Sequence, residues 1–254
     1  MNTIVKTHAL TKRYGGETVV RELELTVPEG CVYGFIGPNG AGKSTTMKML
    51  LGLARPSGGS VTLLGQEMNE KNRIDLLRQT GSLIESPATY GHLTAWENME
   101  IVAGLKGVSG EDIGRVLEIV HLSGERRRRV REFSLGMKQR LGVAQALLGS
   151  PRLLILDEPT NGLDPEGIRE MRALIASLPK RCGATVLISS HLLGELEMMA
   201  DTVGIIDHGR LLWQGPLEQL MRERGGEVVV TRRARSLEEI FLELVHEQEE
   251  AERA

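Results

Sequence analysis

At 254 residues the chain has room for one large domain, or for a domain with a small appended lobe. Hydrophobic residues make up 41% but aromatics only 3%, so a core must rest on Leu, Ile, Val, Met and Ala. The net charge of −3 gives no whole-chain attraction to nucleic acid, two cysteines are too few for a disulfide framework and suit a reduced cytosolic protein, and no apolar run reaches the ~18 residues of a membrane span.

The opening, MNTIVKTHALTKRY, mixes polar and basic residues with short apolar pairs and does not read as a secretory signal. Short β-rich runs, Ile4–Val5 and Val19–Val27, predict antiparallel strands. Cys31–Ile36 is an apolar run that predicts a buried strand, and it leads through GPNGAGKST into MKMLLGL, whose unbranched side chains suit a helix. Arg55–Gly59 reads as a loop and Val61–Leu64 as another short strand. From Pro87 to Ser150 the pattern is helical, without a convincing strand. Leu153–Leu156 and Thr185–Ser189 are apolar runs that end at polar residues, as central parallel strands do. Val203–Ile206 and Leu211–Trp213 predict a hairpin around Asp207–Arg210. Beyond Leu217 the chain is charged and partly helical, ending in a frayed EQEEAERA. Strands alternating with helices predict an α/β fold with a helical insertion.

Gly37-Pro38-Asn39-Gly40-Ala41-Gly42-Lys43-Ser44 fits G-x-x-x-x-G-K-[ST] without a gap. Glycines let backbone N–H groups turn inward around a β-phosphate, and the following helix points its positive end at the anion. Lys43 is placed to reach the β- and γ-phosphates, and the Ser44 hydroxyl to coordinate Mg²⁺. The competing reading is a strand–loop–helix turn that merely contains glycines, and the context that favours the motif is the expected strand before it and the expected helix after it. The motif says nucleotide, but not which machine.

Leu153–Leu156 runs directly into Asp157 and Glu158. Ligands of open α/β sheets sit beyond the carboxyl ends of strands, so Asp157 is expected near Ser44, holding Mg²⁺ through water. Glu158 is then the general base that polarises an attacking water. Taken alone, the pair is equally a strand with ordinary polar punctuation.

The remaining motifs carry a resemblance. Phe133-Ser134-Leu135-Gly136-Met137-Lys138-Gln139-Arg140 is similar to the signature of ABC transporter ATP-binding subunits, SLGMKQR standing where the common form is LSGGQQQR. Asp157-Glu158-Pro159-Thr160-Asn161-Gly162-Leu163-Asp164-Pro165 resembles that family's second acidic motif with its D-loop, and Ser189-Ser190-His191 its switch histidine. Tyr14, in Lys12-Arg13-Tyr14-Gly15, sits where the family has an adenine-stacking aromatic; a partly buried strand-end tyrosine is the alternative. Six motifs in order from Tyr14 to His191 extend the resemblance over nearly the whole chain, weakening after Leu220.

The resemblance implies a P-loop NTPase core, a mainly parallel sheet with an antiparallel β portion, plus a helical ABC-specific subdomain. The expected division is a core of 1–86 and 151–220, a helical signature subdomain at 87–150 and a short tail at 221–254. ATP is expected against Tyr14, Gly37, Pro38, Asn39, Gly40, Ala41, Gly42, Lys43, Ser44, Thr45, Glu85, Ser134, Gly136 and Asp164. Mg²⁺ is expected on Ser44, Glu85 and Asp157, with Lys43, Glu158 and His191 as the catalytic set. Ser134 reads by itself as the N-cap of a helix from Leu135 to Leu148. The resemblance makes that helix end the receptor for a γ-phosphate held by the opposite subunit, so that two ATP molecules are sandwiched head to tail. His191, which alone would be structural or solvated, is implied to contact the γ-phosphate and to position Glu158 and water.

One position departs from the pattern. After Gly81-Ser82-Leu83-Ile84 the family has glutamine, the residue linking nucleotide to the membrane partner, and Glu85 stands there instead. With SLGMKQR and the ending Leu237-Glu238-Glu239-Ile240-Phe241, it resembles exporters of bacitracin resistance and lantibiotic immunity. The implied protein is an ATPase motor, a homodimer or one of a pair, peripheral on the inner face of the cell membrane through an integral permease. Nucleic acid is not an expected partner. A soluble ABC ATPase of ribosomes or DNA is the alternative, but such relatives carry two cassettes or a long coiled-coil insertion. A P-loop kinase has no use for the signature or His191. Arg126–Arg129 reads as a solvated helix end or turn, or a docking patch, and Met47, Met49, Met198 and Met199 as packing residues.

Overall fold

The structure is a computed structural model that describes residues 2–224 together with 240, 241, 243 and 244. Leu237, Glu238 and Glu239 of the expected C-terminal motif, and the frayed EQEEAERA end, lie outside the described residues. The chain divides into two units, Met1–Met68 with Ile188–Ala254, and Asn69–Leu187.

The first unit opens with β1 (Thr3–Tyr14), β2 (Glu17–Leu23) and β3 (Thr26–Pro28), followed by β4 (Val32–Ile36), α1 (Lys43–Leu50), β5 (Gly58–Leu63) and β6 (Gln66–Glu67). These make an antiparallel sheet of order β2-β1-β5-β6, with β3 also paired to β1. β1 is far longer than the Ile4–Val5 run that announced it. Register shifts on either side of Lys12, and a Thr7 that is buried by donating to the Leu23 carbonyl, break the alternation a sequence reader looks for. Val19–Val27 divides between β2 and β3, because Glu22 takes a left-handed φ of 45° and Leu25 N–H turns to the Thr7 hydroxyl.

The second unit comprises α2 (Arg73–Arg78), β7 (Thr80–Leu83), α3 (Ala95–Lys106), α4 (Gly110–Ile119), α5 (Leu135–Leu147), β8 (Leu153–Asp157), α6 (Pro165–Cys182) and the start of β9 (Thr185–Ser190). β7 and β8 are parallel neighbours, with Leu83 opposite Leu156. The expected helical stretch from Pro87 to Ser150 holds α3, α4 and α5 with two short 3-10 turns, and one isolated bridge joins Thr94 to Arg129. α3 starts with a full capping box, Thr94 accepting from Glu97 N–H while the Glu97 carboxylate accepts from Thr94 N–H. Those hydrogen bonds to Thr94 hold the Glu97 carboxyl below its usual range.

The C-terminal end of α5 is closed by side chains of two other helices. Lys106 at the end of α3 donates to the carbonyls of Leu148 at 3.0 Å, Gln145 at 3.2 Å and Ala146 at 3.4 Å. Arg115 of α4 donates to Leu147 O, while Asp112 accepts from Gly149 N–H at 2.7 Å and from Arg115 Nε at 2.6 Å. Cations at a helix C-terminus satisfy carbonyls that have no partner within the helix. Burial lowers the pKa of Lys106. Burial opposes the charge on Asp112 as well, but Arg115 and the Gly149 N–H together hold its carboxyl below the usual value.

The chain then returns to the first unit through α7 (Leu193–Glu197), β10 (Thr202–Asp207), β11 (Arg210–Pro216) and α8 (Leu217–Arg224). β10 and β11 form the expected hairpin, and β10 lies parallel to β4 with Ile205 opposite Ile36. Met47, Met49 and Met199 are buried as expected, whereas Met198 is 67% exposed and does not belong to the core.

Candidate active site

Gly37–Ser44 connects buried β4 to the first turn of α1. Gly42 caps the helix at φ 104°, a backbone closed to other residues, so Ala41 and Lys43 turn through it without a side chain in the way. Gly37 is needed for a different reason: a Cβ there would overlap the Ile206 carbonyl oxygen of β10. The β10–β11 turn braces the loop, since Gly209 N–H donates to Ala41 O at 3.0 Å. Lys43 is 6% exposed, and its ammonium donates to Gly37 O at 2.6 Å and Pro38 O at 3.1 Å. Ser44 and Thr45 follow on the first helical turn, while Pro38, Asn39 and Gly40 form the exposed rim. In the same unit Tyr14 ends β1, half exposed, with the Lys12 ammonium 4.7 Å from its ring centroid. His191 directly follows β9, exposed, after the fully buried Ser189 and Ser190.

In the second unit, Asp157 is the last residue of β8 and only 3% exposed, with Glu158 next to it at the start of a turn. Glu158 has φ 49° and Glu85, beyond the end of the neighbouring β7, has φ 64°. Left-handed backbone at a non-glycine residue costs about 1–3 kcal/mol and collects at functional positions. The Leu83–Leu156 pairing brings both glutamates to the carboxyl ends of adjacent parallel strands.

Ser134 and Asp164 cap α5 and α6. Ser134 Oγ accepts from Met137 N–H at 3.2 Å, and Asp164 Oδ1 from Gly167 N–H at 3.1 Å. Both helix ends open into one hollow of about 400 Å³, whose lining includes Ser134, Gly136, Arg140, Asp164 and Glu170. Helix N-termini supply N–H groups and positive potential to an anion. Arg140 and Glu170 form an ion pair here at 3.1 Å. Glu170 had no signal in the sequence, and Arg140 only its place in the signature.

A second hollow of about 410 Å³ lies at the start of α3, lined by Thr94, Trp96, Glu97, Arg126 and Arg127. Arg126–Arg129 is a solvated turn, whose Arg126 and Arg128 carbonyls accept from Trp96 and Ala95 N–H. Ile101 and Leu105 continue from Glu97 along one face of α3 and are exposed, Leu105 at 85%.

The metal donors expected from the sequence, the Ser44 hydroxyl in the first unit and the carboxylates of Asp157 and Glu85 in the second, are all hard oxygens. Among the described residues no group of three or more His, Cys, Asp or Glu could hold a metal ion by itself. Oxygen donors of this kind suit Mg²⁺, which takes one or two carboxylates and completes its shell with phosphate oxygens and water.

Residues 20–161 match the family described as ABC transporter. The chain is 52% identical over 223 residues to the bacitracin transport ATP-binding protein BcrA of Bacillus licheniformis, covering 87% of this chain and 72% of that one. It is 47% identical over 209 residues to the lantibiotic transport ATP-binding protein SrtF of Streptococcus pyogenes, covering 82% and 89%. Among solved structures, an ATP binding subunit of an ABC transporter matches with a TM-score of 0.81 at 30% identity, covering 96% of this chain and all of that one.

Proposed function

This chain belongs to the ABC transporter family as an ATP-binding subunit, and from that premise we propose that it is the ATPase motor of an exporter, working as a head-to-tail dimer beneath a separate membrane permease. The observation that carries the reading is the hollow shared by the capped ends of α5 and α6, where Ser134, Gly136 and Asp164 meet. It suits a triphosphate held by the phosphate loop of a second copy. Tyr14 stacks on the adenine, Gly37–Thr45 wraps the phosphates, and Lys43 neutralises the β- and γ-oxygens. Ser44, Asp157 and Glu85 would hold Mg²⁺, which would supply positive charge against the leaving diphosphate. Glu158 accepts a proton from water as its oxygen bonds to the γ-phosphorus and the bond to the β–γ bridging oxygen breaks. His191 orients that water and the γ-phosphate.

No described helix is long and apolar enough to cross a membrane, so the reading assigns transport to another chain. The hollow at Trp96, with Ile101 and Leu105 beyond it, supports a permease docked on α3 from the cytoplasmic side. BcrA and SrtF support a peptide antibiotic, lantibiotic or similar amphiphile as cargo. The test is affinity purification of the tagged chain from detergent-solubilised membranes. A polytopic membrane protein that co-purifies and stimulates its ATPase is the expected result; ribosomes or DNA in its place would overturn the reading.

A further inference from the structure

Arg140 lies six residues beyond the cap of α5, and Glu170 six beyond the cap of α6. Six residues of helix span about 9 Å, so a pair at matched depth forms a rung between two helices whose open ends share one hollow. The rung is short, Nη1 to Oε2 at 3.1 Å, with the Arg140 side chain 19% exposed and that of Glu170 52%. The buried Arg140 Nε has no hydrogen-bond partner, and Glu170 anchors the guanidinium through Nη1. Closer to the caps, apolar side chains lie between the two segments: a Cβ at Gly162 would meet Leu135 at 3.1 Å, and one at Gly136 would lie 3.8 Å from Leu163. Apolar contact sets a distance but tolerates sliding, whereas a charged pair fixes register.

We propose that Arg140 and Glu170 are a positioning pair that sets the spacing of Ser134 and Asp164, and so the fit of the hollow to the triphosphate of a second copy. The proposal rests on the dimeric reading given above. With one partner half exposed, the pair adds little to folding stability. Its effect is on the approach of two anion-facing helix ends, where small misplacements are costly in rate.

Arg140→Met, Arg140→Lys and Glu170→Gln are made singly, and Arg140→Glu with Glu170→Arg as a charge swap, all in the full chain. Steady-state ATP hydrolysis gives kcat and KM, and ATP-dependent dimerisation is read by light scattering in a Glu158→Gln background. Arg140→Met and Glu170→Gln are expected to lose about tenfold in kcat, and to dimerise more weakly, while monomer affinity for a fluorescent ATP analogue and Tm stay near wild type. Arg140→Lys, which keeps the cation, retains more activity than Arg140→Met, and the swap recovers most of the loss. Wild-type kcat in both Arg140→Met and Glu170→Gln overturns the proposal, as does a lysine no better than methionine. Ser134→Arg separates the two levels. If Ser134→Arg hydrolyses ATP at the wild-type rate, the dimeric reading falls. If it is dead while Arg140→Met and Glu170→Gln are unaffected, only the pairing proposal falls.

Discussion

Glu85 and Glu158 each stand two residues beyond the Leu83–Leu156 pair, at the ends of adjacent parallel strands, and both take left-handed backbone. One strand end therefore presents the proposed base, and its neighbour the carboxylate expected to stand where the family has glutamine. Glu158→Gln keeps the shape of the side chain but removes its basicity. ATP and Mg²⁺ are expected to trap this variant as a dimer, visible as a size shift in gel filtration. Fast turnover by the variant would place the base elsewhere.

Glu85→Gln replaces a full negative charge with a neutral oxygen. Mg²⁺ favours the carboxylate, yet the same charge repels a nearby γ-phosphate. ATP binding is expected to survive, with an altered Mg²⁺ requirement and little change in basal hydrolysis. The larger loss should fall on stimulation by the permease. Unchanged Mg²⁺ dependence and unchanged stimulation in both Glu85→Gln and Glu85→Ala would reduce Glu85 to a solvated loop carboxylate.

Lys43→Ala removes the ammonium that closes the phosphate loop onto the Gly37 and Pro38 carbonyls. Hydrolysis is expected to vanish and ATP affinity to fall, measured by phosphate release and by titration with a fluorescent analogue. Lys43→Arg should not restore turnover, because a planar fork cannot replace a compact point charge.

Gly37→Ala sets a methyl group against the Ile206 carbonyl and 2.9 Å from Ile206 Cγ2. Overpacking of this kind costs about 1–3 kcal/mol, or roughly 2–12 °C in Tm for a chain of this size. Gly16→Ala, where an added methyl meets nothing within 4 Å, is the matched control and should leave Tm unchanged.

Cys31 is set by burial, reinforced by the nearby Asp201 charge, and its thiol is pushed up to about 11 from 9.0. At pH 8 its alkylation should run about 100-fold slower than that of a free cysteine, followed by mass spectrometry with iodoacetamide. Unfolded Cys31 ionises near 9 and folded Cys31 near 11, so the folded chain holds the extra proton between them. Its contribution to stability is complete below pH 9 and is lost as pH rises through that window. A fast-reacting Cys31 at pH 8 would contradict the burial.

Parts of the site were legible because chemistry dictates composition over a few adjacent residues. Gly37–Ser44 announces its own turn, Ser134 its cap, and Asp207–Arg210 its hairpin, and each is found in place. β7 escaped notice because Gly81 and Ser82 lack strand-forming side chains. Gly81 is small because a Cβ there would overlap the Ala146 carbonyl, a fact of packing that no local pattern records. The same holds for Glu170 and Arg140, thirty residues apart and joined only by the meeting of two helices. Lys106, Asp112 and Arg115 read as ordinary helix-surface charges until the end of α5 is seen between them.

That closure changes what α5 is electrically. An isolated helix is a dipole, and the field at either end is partly cancelled by the opposite pole. In this chain Lys106 and Arg115 sit on the negative pole of α5, while the positive pole at Ser134 faces the hollow. From the hollow the helix therefore resembles a single uncompensated partial charge, whose reach falls off more slowly with distance than that of a dipole. On the proposed reading, α3 and α4 would thereby strengthen the pull of the Ser134 helix end on an approaching phosphate.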